Sequence, residues 1–219
     1  LTVVDNAADW LIETNEFLCA ARGVVHIGAN AGQECRLYGV MELPALFVEA
    51  LEGPFKTLVE EVVKYPNQRA FQYLLTDTDG AEYDFGIANN DGQSSSIFQF
   101  GDHVKLWPSV KYVDSVKLKS STFKTMVERE RIDLSSYDAL VMDVQGAELL
   151  VLKGMRDCLD GFRFIRCETA DFDVYRGCCQ MKDLDEYLSP RGFTRTKTIR
   201  GAGYSGLGFT YEALYERVV

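Results

Sequence analysis

The sequence is poor in histidine, with only His26 and His103 among 219 residues, and none of its six cysteines stands in a C-x-x-C pair. A structural zinc site needs such ligands at short spacing, so a zinc-organised fold is excluded. Cations are scarce as well: 23 Lys and Arg face 33 Asp and Glu, a net charge of −10. Sequence-independent nucleic-acid binding needs clustered cations that displace counterions, and anionic lipid attracts the same clusters. Neither nucleic acid nor a membrane suits this chain as a partner. The strongest basic stretch, Arg191–Arg200, alternates with Thr and Phe and reads as the solvent face of a strand. No apolar run approaches the roughly 20 residues that span a bilayer. Asp5, Asp9, Glu13 and Glu16 exclude a signal-peptide apolar region from residues 1–22. The cysteines Cys19, Cys35, Cys158, Cys167, Cys178 and Cys179 read as free thiols of a reducing compartment, which points to the cytoplasm.

What the chain does have is material for a core. Hydrophobic residues make up 47% of it, with 13 Phe, 11 Tyr and 2 Trp. At about 150 residues per domain this length suggests one domain, 1–219, and no repeat or linker divides it. A first helix is expected over Ala7–Ala21, with Asn6 as its cap and Trp10, Leu11, Phe17 and Leu18 on one face. A rhythm follows: strand Val24–Gly28, helix from Gln33, strand Ala45–Ala50, helix Pro54–Lys64, strand Ala70–Thr76. That alternation implies parallel pairing with right-handed crossovers. Residues 81–121 break the rhythm and read as an antiparallel β insertion that covers the site, with a polar loop at Asn89–Ser96. Helix Thr122–Arg131, strand Ala139–Val144, helix Ala147–Leu159, strand Phe164–Glu168 and helix Asp183–Leu188 resume it. The last two β segments, Phe193–Ile199 and Phe209–Arg217, are too close in sequence for a helical crossover and should pair antiparallel.

HIGANAGQE, His26–Glu34, falls at the first strand-to-helix turn. Gly28 and Gly32 permit a tight turn and a close backbone approach to a ligand. Glu49 ends the next strand, where a carboxylate accepts both ribose hydroxyls of a nucleoside. The spacing G-x-x-x-G lacks one glycine of G-x-G-x-x-G, which counts against NAD, and no G-x-x-x-x-G-K-[ST] phosphate loop is present. Asp77, after the third strand, is placed to accept an adenine amino group; Asp77–Gly80 reads equally as a turn. Asp143 in MDVQGAELL ends a strand expected at the centre of the sheet, where a buried acid without a partner is costly. Glu148 reads as a helix N-terminal charge. Glu168 ends the following strand, and with Asp171 and Asp173 it reads as a solvated loop rather than a metal site.

Together these segments resemble the FkbM family of S-adenosylmethionine-dependent methyltransferases. The resemblance is carried in order by HIGANAGQE, FVEAL, LLTDTDG, NNDGQSSSIF, VKLKSSTF, DVQGAELLVLKG and FIRCET, from about Val24 to Glu168. It implies a single-domain α/β fold of the Rossmann-like class I methyltransferase kind, a seven-stranded mostly parallel sheet with an antiparallel last strand. It also implies S-adenosylmethionine as cofactor and O-methylation of a small-molecule or glycan acceptor, such as a sugar or secondary metabolite. Gly28, Asn30 and Gly32 would cradle the cofactor's amino-acid part, with His26, Ala29 and Gln33 in the same turn. Glu49, with Ala50 beside it, would bind the ribose, Asp77 the adenine, and Asp143 would lie near the methionine end. His26 stands where such motifs often carry Asp, Met142 where the family often has Lys, and Gln145 where it has Glu. A hydroxyl acceptor must lose a proton, and Asp143 and His103 are the two candidate bases. Ser95 and Ser96, with Ser94 and Glu168, are expected to line the acceptor pocket, and Trp107 and Tyr175 to stack on a sugar ring or to pack as core. The alternative expectation is a non-catalytic relative that binds cofactor or serves as an interaction module.

Overall fold

The computed structural model describes residues 12–217. Residues 12–15 are helical and run into a 3₁₀ turn at Glu16–Ala20, while the expected helix start with Asn6, Trp10 and Leu11 lies outside the described residues. In chain order the strands are β1 (Val24–Ile27), β2 (Ala45–Glu49), β3 (Gln68–Gln72), β4 (Leu74–Leu75), β5 (Glu82–Ala88), β6 (Tyr112–Ser121), β7 (Ala139–Met142), β8 (Phe164–Ala170), β9 (Phe193–Tyr204) and β10 (Gly208–Arg217). Seven form one sheet in the order β3-β2-β1-β7-β8-β10-β9, and β4, β6 and β5 form a second, smaller one. Within the large sheet β3, β2, β1, β7 and β8 are parallel, and β10 runs antiparallel to both β8 and β9.

Continuous apolar runs make the central strands, because both faces of the sheet are covered. Every residue of β1, β2 and β7 is buried. Val25, Ile27, Val48, Leu140 and Met142 face Phe123, Met126, Val151, Leu152, Leu184 and Leu188, which come from the helices Phe123–Arg129, Glu148–Met155 and Met181–Leu188. Val24, Phe47, Ala139 and Val141 face Phe17, Leu18, Tyr38, Leu58 and Val62 on the other side, partly from the helices Cys35–Val40 and Glu52–Val62. Each such buried side chain contributes about 1.5–3 kcal/mol of transfer free energy. The hydroxyl of Thr122 caps the helix Phe123–Arg129 by accepting from the Thr125 amide at 3.1 Å. Among the described residues no helix is long and apolar enough to cross a membrane.

The expected third strand, Ala70–Thr76, is two strands in two sheets. β3 ends at Gln72, the Tyr73 amide donates to the Glu49 carbonyl, and Leu74–Leu75 then pairs with Ser120–Ser121 of β6. The expected glycine-rich loop Gly201–Gly208 is mostly strand, since β9 and β10 stay paired up to Tyr204 and Gly208. Pro190 does not simply stop the last helix; it enters a 3₁₀ turn at Ser189–Arg191.

Strand order reverses between β1 and β7, and the crevice at the carboxyl ends of those strands is where open α/β sheets bind ligands. Helix Glu148–Met155 starts there, and the segment 89–107, between β5 and β6, contributes side chains to the crevice.

Candidate active site

A cleft of about 550 Å³ opens at this switch point. Its floor is made by two turns in contact. Gly28 has φ +83°, and a Cβ there would lie 1.9 Å from the carbonyl oxygen of Asp143. Only glycine lets the turn after β1 sit against the turn after β7. Gly32 also has a positive φ, but it faces Cys35 and Leu58 and does not line the cleft. Its role is packing of the turn, not a wall for a ligand.

Glu49, only 8% exposed, faces the cleft from the end of β2. One carboxylate oxygen accepts from the Asn30 amide at 2.9 Å and the other from the Leu51 amide at 2.8 Å. Burial raises its carboxyl above the usual range, and those backbone donors pull the other way. The Asn30 side chain takes the Ala31 amide at 2.7 Å and donates to the Asp91 carbonyl at 3.2 Å, tying the glycine turn to the loop after β5. Beside Glu49, Leu51, Leu74 and Phe85 form a small apolar cluster with Ile97 packed against it, and all four line the cleft. His26, Ala29, Gln33 and Ala50 line it too. His26 is buried against Tyr38, whose hydroxyl lies 3.1 Å from Nδ1, and burial lowers its pKa to about 4.

Asp77 is not in the cleft. The chain has already joined the smaller sheet at Leu74–Leu75, so Asp77 sits half-exposed in a bend and accepts from the Thr78 hydroxyl. Sequence spacing placed it at the end of a third strand that in fact stops at Gln72.

Around Asp143 the wall is acidic. The Gln145 side chain, on a residue with φ +52°, donates from Nε2 to Asp143 Oδ1 and, at 3.0 Å, to Glu168 Oε2. Its Oε1 accepts from the Tyr175 hydroxyl. Asp143 is open to the cleft yet deep within the protein, and desolvation raises its carboxyl; Glu168 is raised well above the carboxylate range by desolvation and by Asp143 beside it. Both acids are thus pushed upward, Glu168 the further, because two acids held this close resist ionising together. Glu148 does start a helix, as expected, and it is buried and lines the cleft. It accepts from the Val144 and Gly146 amides at 3.1 and 3.3 Å, and burial lifts it to about 7. Glu34 also lines the cleft, so Glu34, Glu49, Asp143, Glu148 and Glu168 face it, with no Lys or Arg among the described lining residues. The buried cation nearby is Arg166, behind the wall, 3.6 Å from Glu212 and 2.7 Å from Asn15 Oδ1.

His103 is buried, 1% exposed, stacked on Phe100 at 4.2 Å and tilted against Trp107 and Tyr175. Its Nε2 lies 3.2 Å from the Ser94 hydroxyl, and burial lowers its pKa to about 4. It lines the cleft and is neutral near pH 7, rather than titrating near neutrality as expected. The serines serve mainly to shape the loop. Ser95 lines the cleft while its hydroxyl takes the Ala88 amide at 3.0 Å; Ser96 lies outside the lining and donates to the Gln145 carbonyl at 2.8 Å. Asp171 and Asp173 are committed elsewhere, the first to the Phe209 amide and the Tyr211 hydroxyl, the second to Gln180. Sequence reasoning missed Glu34, one turn past the glycines, and the apolar cluster of Leu51, Leu74 and Phe85. Only their spacing around the glycine turn and the β4 break signals them.

The donor set suits S-adenosylmethionine. Carboxylates and no cation favour its sulfonium and ammonium, a strand-end acid suits a ribose diol, and an apolar patch beside that acid suits a purine. The Thr169 hydroxyl, on a residue of the same wall, is buried without a hydrogen-bond partner among the described residues. Comparison with known proteins agrees. A family described as the methyltransferase FkbM domain matches residues 24–196. The 2-O-methyltransferase NoeI of Sinorhizobium fredii (strain NBRC 101917 / NGR234) is 32% identical over 181 residues, covering 75% of this chain and 70% of that protein. Magnesium protoporphyrin IX methyltransferase (ChlM) from Synechocystis PCC 6803, solved with bound SAM, superposes with a TM-score of 0.51 at 11% identity over 98% of this chain and 77% of its own. M. capricolum TrmK, in complex with S-adenosyl-homocysteine, gives a TM-score of 0.50 at 6% identity, covering 89% of this chain and 62% of that one. The two structures share the fold.

Proposed function

The chain belongs to the FkbM methyltransferase family and is S-adenosylmethionine-dependent, and from that premise we propose that it methylates a hydroxyl of a neutral, polyhydroxylated acceptor such as a glycan. The observation that carries this reading is the make-up of the cleft: five acidic side chains line it, without Lys or Arg among the described lining residues. Phosphorylated or carboxylated acceptors, nucleic acid included, would meet repulsion there, whereas sugar hydroxyls find acceptors on every side. The likeness to a protein named as a 2-O-methyltransferase supports the same reaction type.

S-adenosylmethionine supplies a methyl group already activated on a sulfonium sulfur. The protein's task is to align the acceptor, exclude water and take a hydroxyl proton. Glu49 would hold the ribose, and Leu51, Leu74, Phe85 and Ile97 would flank the adenine in place of the expected Asp77. Gly28 and Asn30 would border the amino-acid part. Asp143, which faces the cleft, takes the acceptor proton. Trp107 and Tyr175, both on the lining, offer aromatic surface to a sugar ring. The six free cysteines fit a reducing compartment such as the cytoplasm.

The test is methyl transfer from labelled S-adenosylmethionine to a panel of neutral oligosaccharides, sugar phosphates, RNA and small phenols. Label should appear as an O-methyl group on a neutral sugar. Transfer only to anionic acceptors, or to nitrogen, would overturn the reading.

A further inference from the structure

Methyl transfer turns a cationic cofactor into a neutral thioether, so an enzyme gains by holding the first more tightly than the second. The cleft contains a device suited to that task. Gln145 has its amide orientation fixed, because its Oε1 receives the Tyr175 hydroxyl and its Nε2 must then face Asp143 and Glu168. Its own position is fixed by the Ser96 hydroxyl on its carbonyl and by a left-handed backbone that only surrounding structure sustains. One amide thus draws two carboxylates together on neighbouring strand ends. Two carboxylates at such close quarters do not both ionise.

We propose that Gln145, anchored by Tyr175, is a positioning residue that joins Asp143 and Glu168 into one acid pair holding a single proton, and that this pair's net charge of −1 selects the sulfonium cofactor over its neutral product. Other charges surround the pair: the acids Glu34, Glu148 and Glu212, the cation Arg166, and His26, which is neutral near pH 7. Arg166 offsets one acid, and the remaining negative potential reinforces the preference. The inference rests on the cofactor alone and is independent of the acceptor.

The experiment is calorimetric titration with S-adenosylmethionine and with S-adenosylhomocysteine, at pH values from 5.5 to 9. The wild type should prefer the former by roughly tenfold near neutrality. That preference should fall as pH drops and the pair takes its second proton. Gln145→Leu removes the donor that stabilises the anion, so the fall should move to higher pH by about one unit. Tyr175→Phe, which frees the amide without altering the acids, should shift it in the same direction. Glu168→Gln imitates the protonated partner and should keep both the preference and its fall at low pH, where Asp143 takes a proton, while removing any further rise at high pH. A preference unchanged across pH in both Gln145→Leu and Tyr175→Phe would overturn the proposal. So would equal affinity of the wild type for the two ligands with binding intact. Failure of both ligands to bind would remove the cofactor assignment together with the pair's role.

Discussion

The missing side chain of Gly28 leaves room for the backbone of Asp143: a Cβ at the first would fall 1.9 Å from the carbonyl oxygen of the second. The contact joins the two turns whose side chains form the cleft. Gly28→Ala meets both that oxygen and an unfavourable φ of +83°. It should cost about 2–4 kcal/mol in urea denaturation. Cofactor affinity should fall with it, since the turns must separate. A variant as stable as the wild type would mean that the turns give way freely.

Glu49 holds two backbone amides while facing the cleft. Glu49→Ala leaves the Asn30 and Leu51 amides unpartnered, a cost of about 1–3 kcal/mol to stability. Binding of S-adenosylmethionine should weaken at least about tenfold, the equivalent of one charge-assisted hydrogen bond. Calorimetry reads the second effect and thermal melting the first; cofactor affinity left at the wild-type value would exclude the ribose role.

Arg166 is a buried cation among acids, paired with Glu212 and hydrogen-bonded to Asn15. Arg166→Met should destabilise by about 3–5 kcal/mol, because acids are left buried without their counter-charge. Glu212→Gln on top of it should restore part of the loss. A double-mutant cycle with no coupling between the two would contradict the pairing.

Stability should depend on pH with two opposing signs. Glu148 is raised to about 7 from 4.5, and Glu212 likewise to about 7. A raised acid contributes stability that is complete below its unfolded pKa and is lost as pH rises through its folded one. His26 and His103, lowered to about 4 from 6.5, contribute stability that is complete above 6.5 and is lost as pH falls through 4. The effects oppose each other over the shared range, so the wild type should vary little there. Glu148→Gln removes one of them. Its stability relative to wild type should climb by about 3 kcal/mol between pH 4.5 and 7.5. Chemical denaturation at each pH checks this, and a constant difference would show that Glu148 is not held protonated.

The central strands were legible because burial on both faces leaves near-continuous apolar runs, as in Val24–Ile27 and Ala139–Met142. The glycine turn and Glu49 were legible because backbone geometry and strand-end position restrict residue type there. Asp77 was not, because an apolar run such as Tyr73–Leu75 does not say which sheet it joins. The burial of His103 is not legible for a related reason. Its partners Phe100, Trp107 and Tyr175 lie on separate segments, and no local pattern announces that they enclose it. Glu148 looked like a helix-start charge, and it does sit at a helix start, but its partners are the amides of the preceding turn.

β9 lies at the outer edge of the large sheet, and a twelve-residue edge strand is an invitation for a second chain to add on. Here the basic stretch has an architectural effect. Arg195 is tied to Asp185 and Lys197 to Glu13 and Glu16, so charged groups stand fixed along the edge. Gly201 and Gly203 near its end weaken it further as a pairing surface. Fixed charges along an edge disfavour the addition of a further strand there.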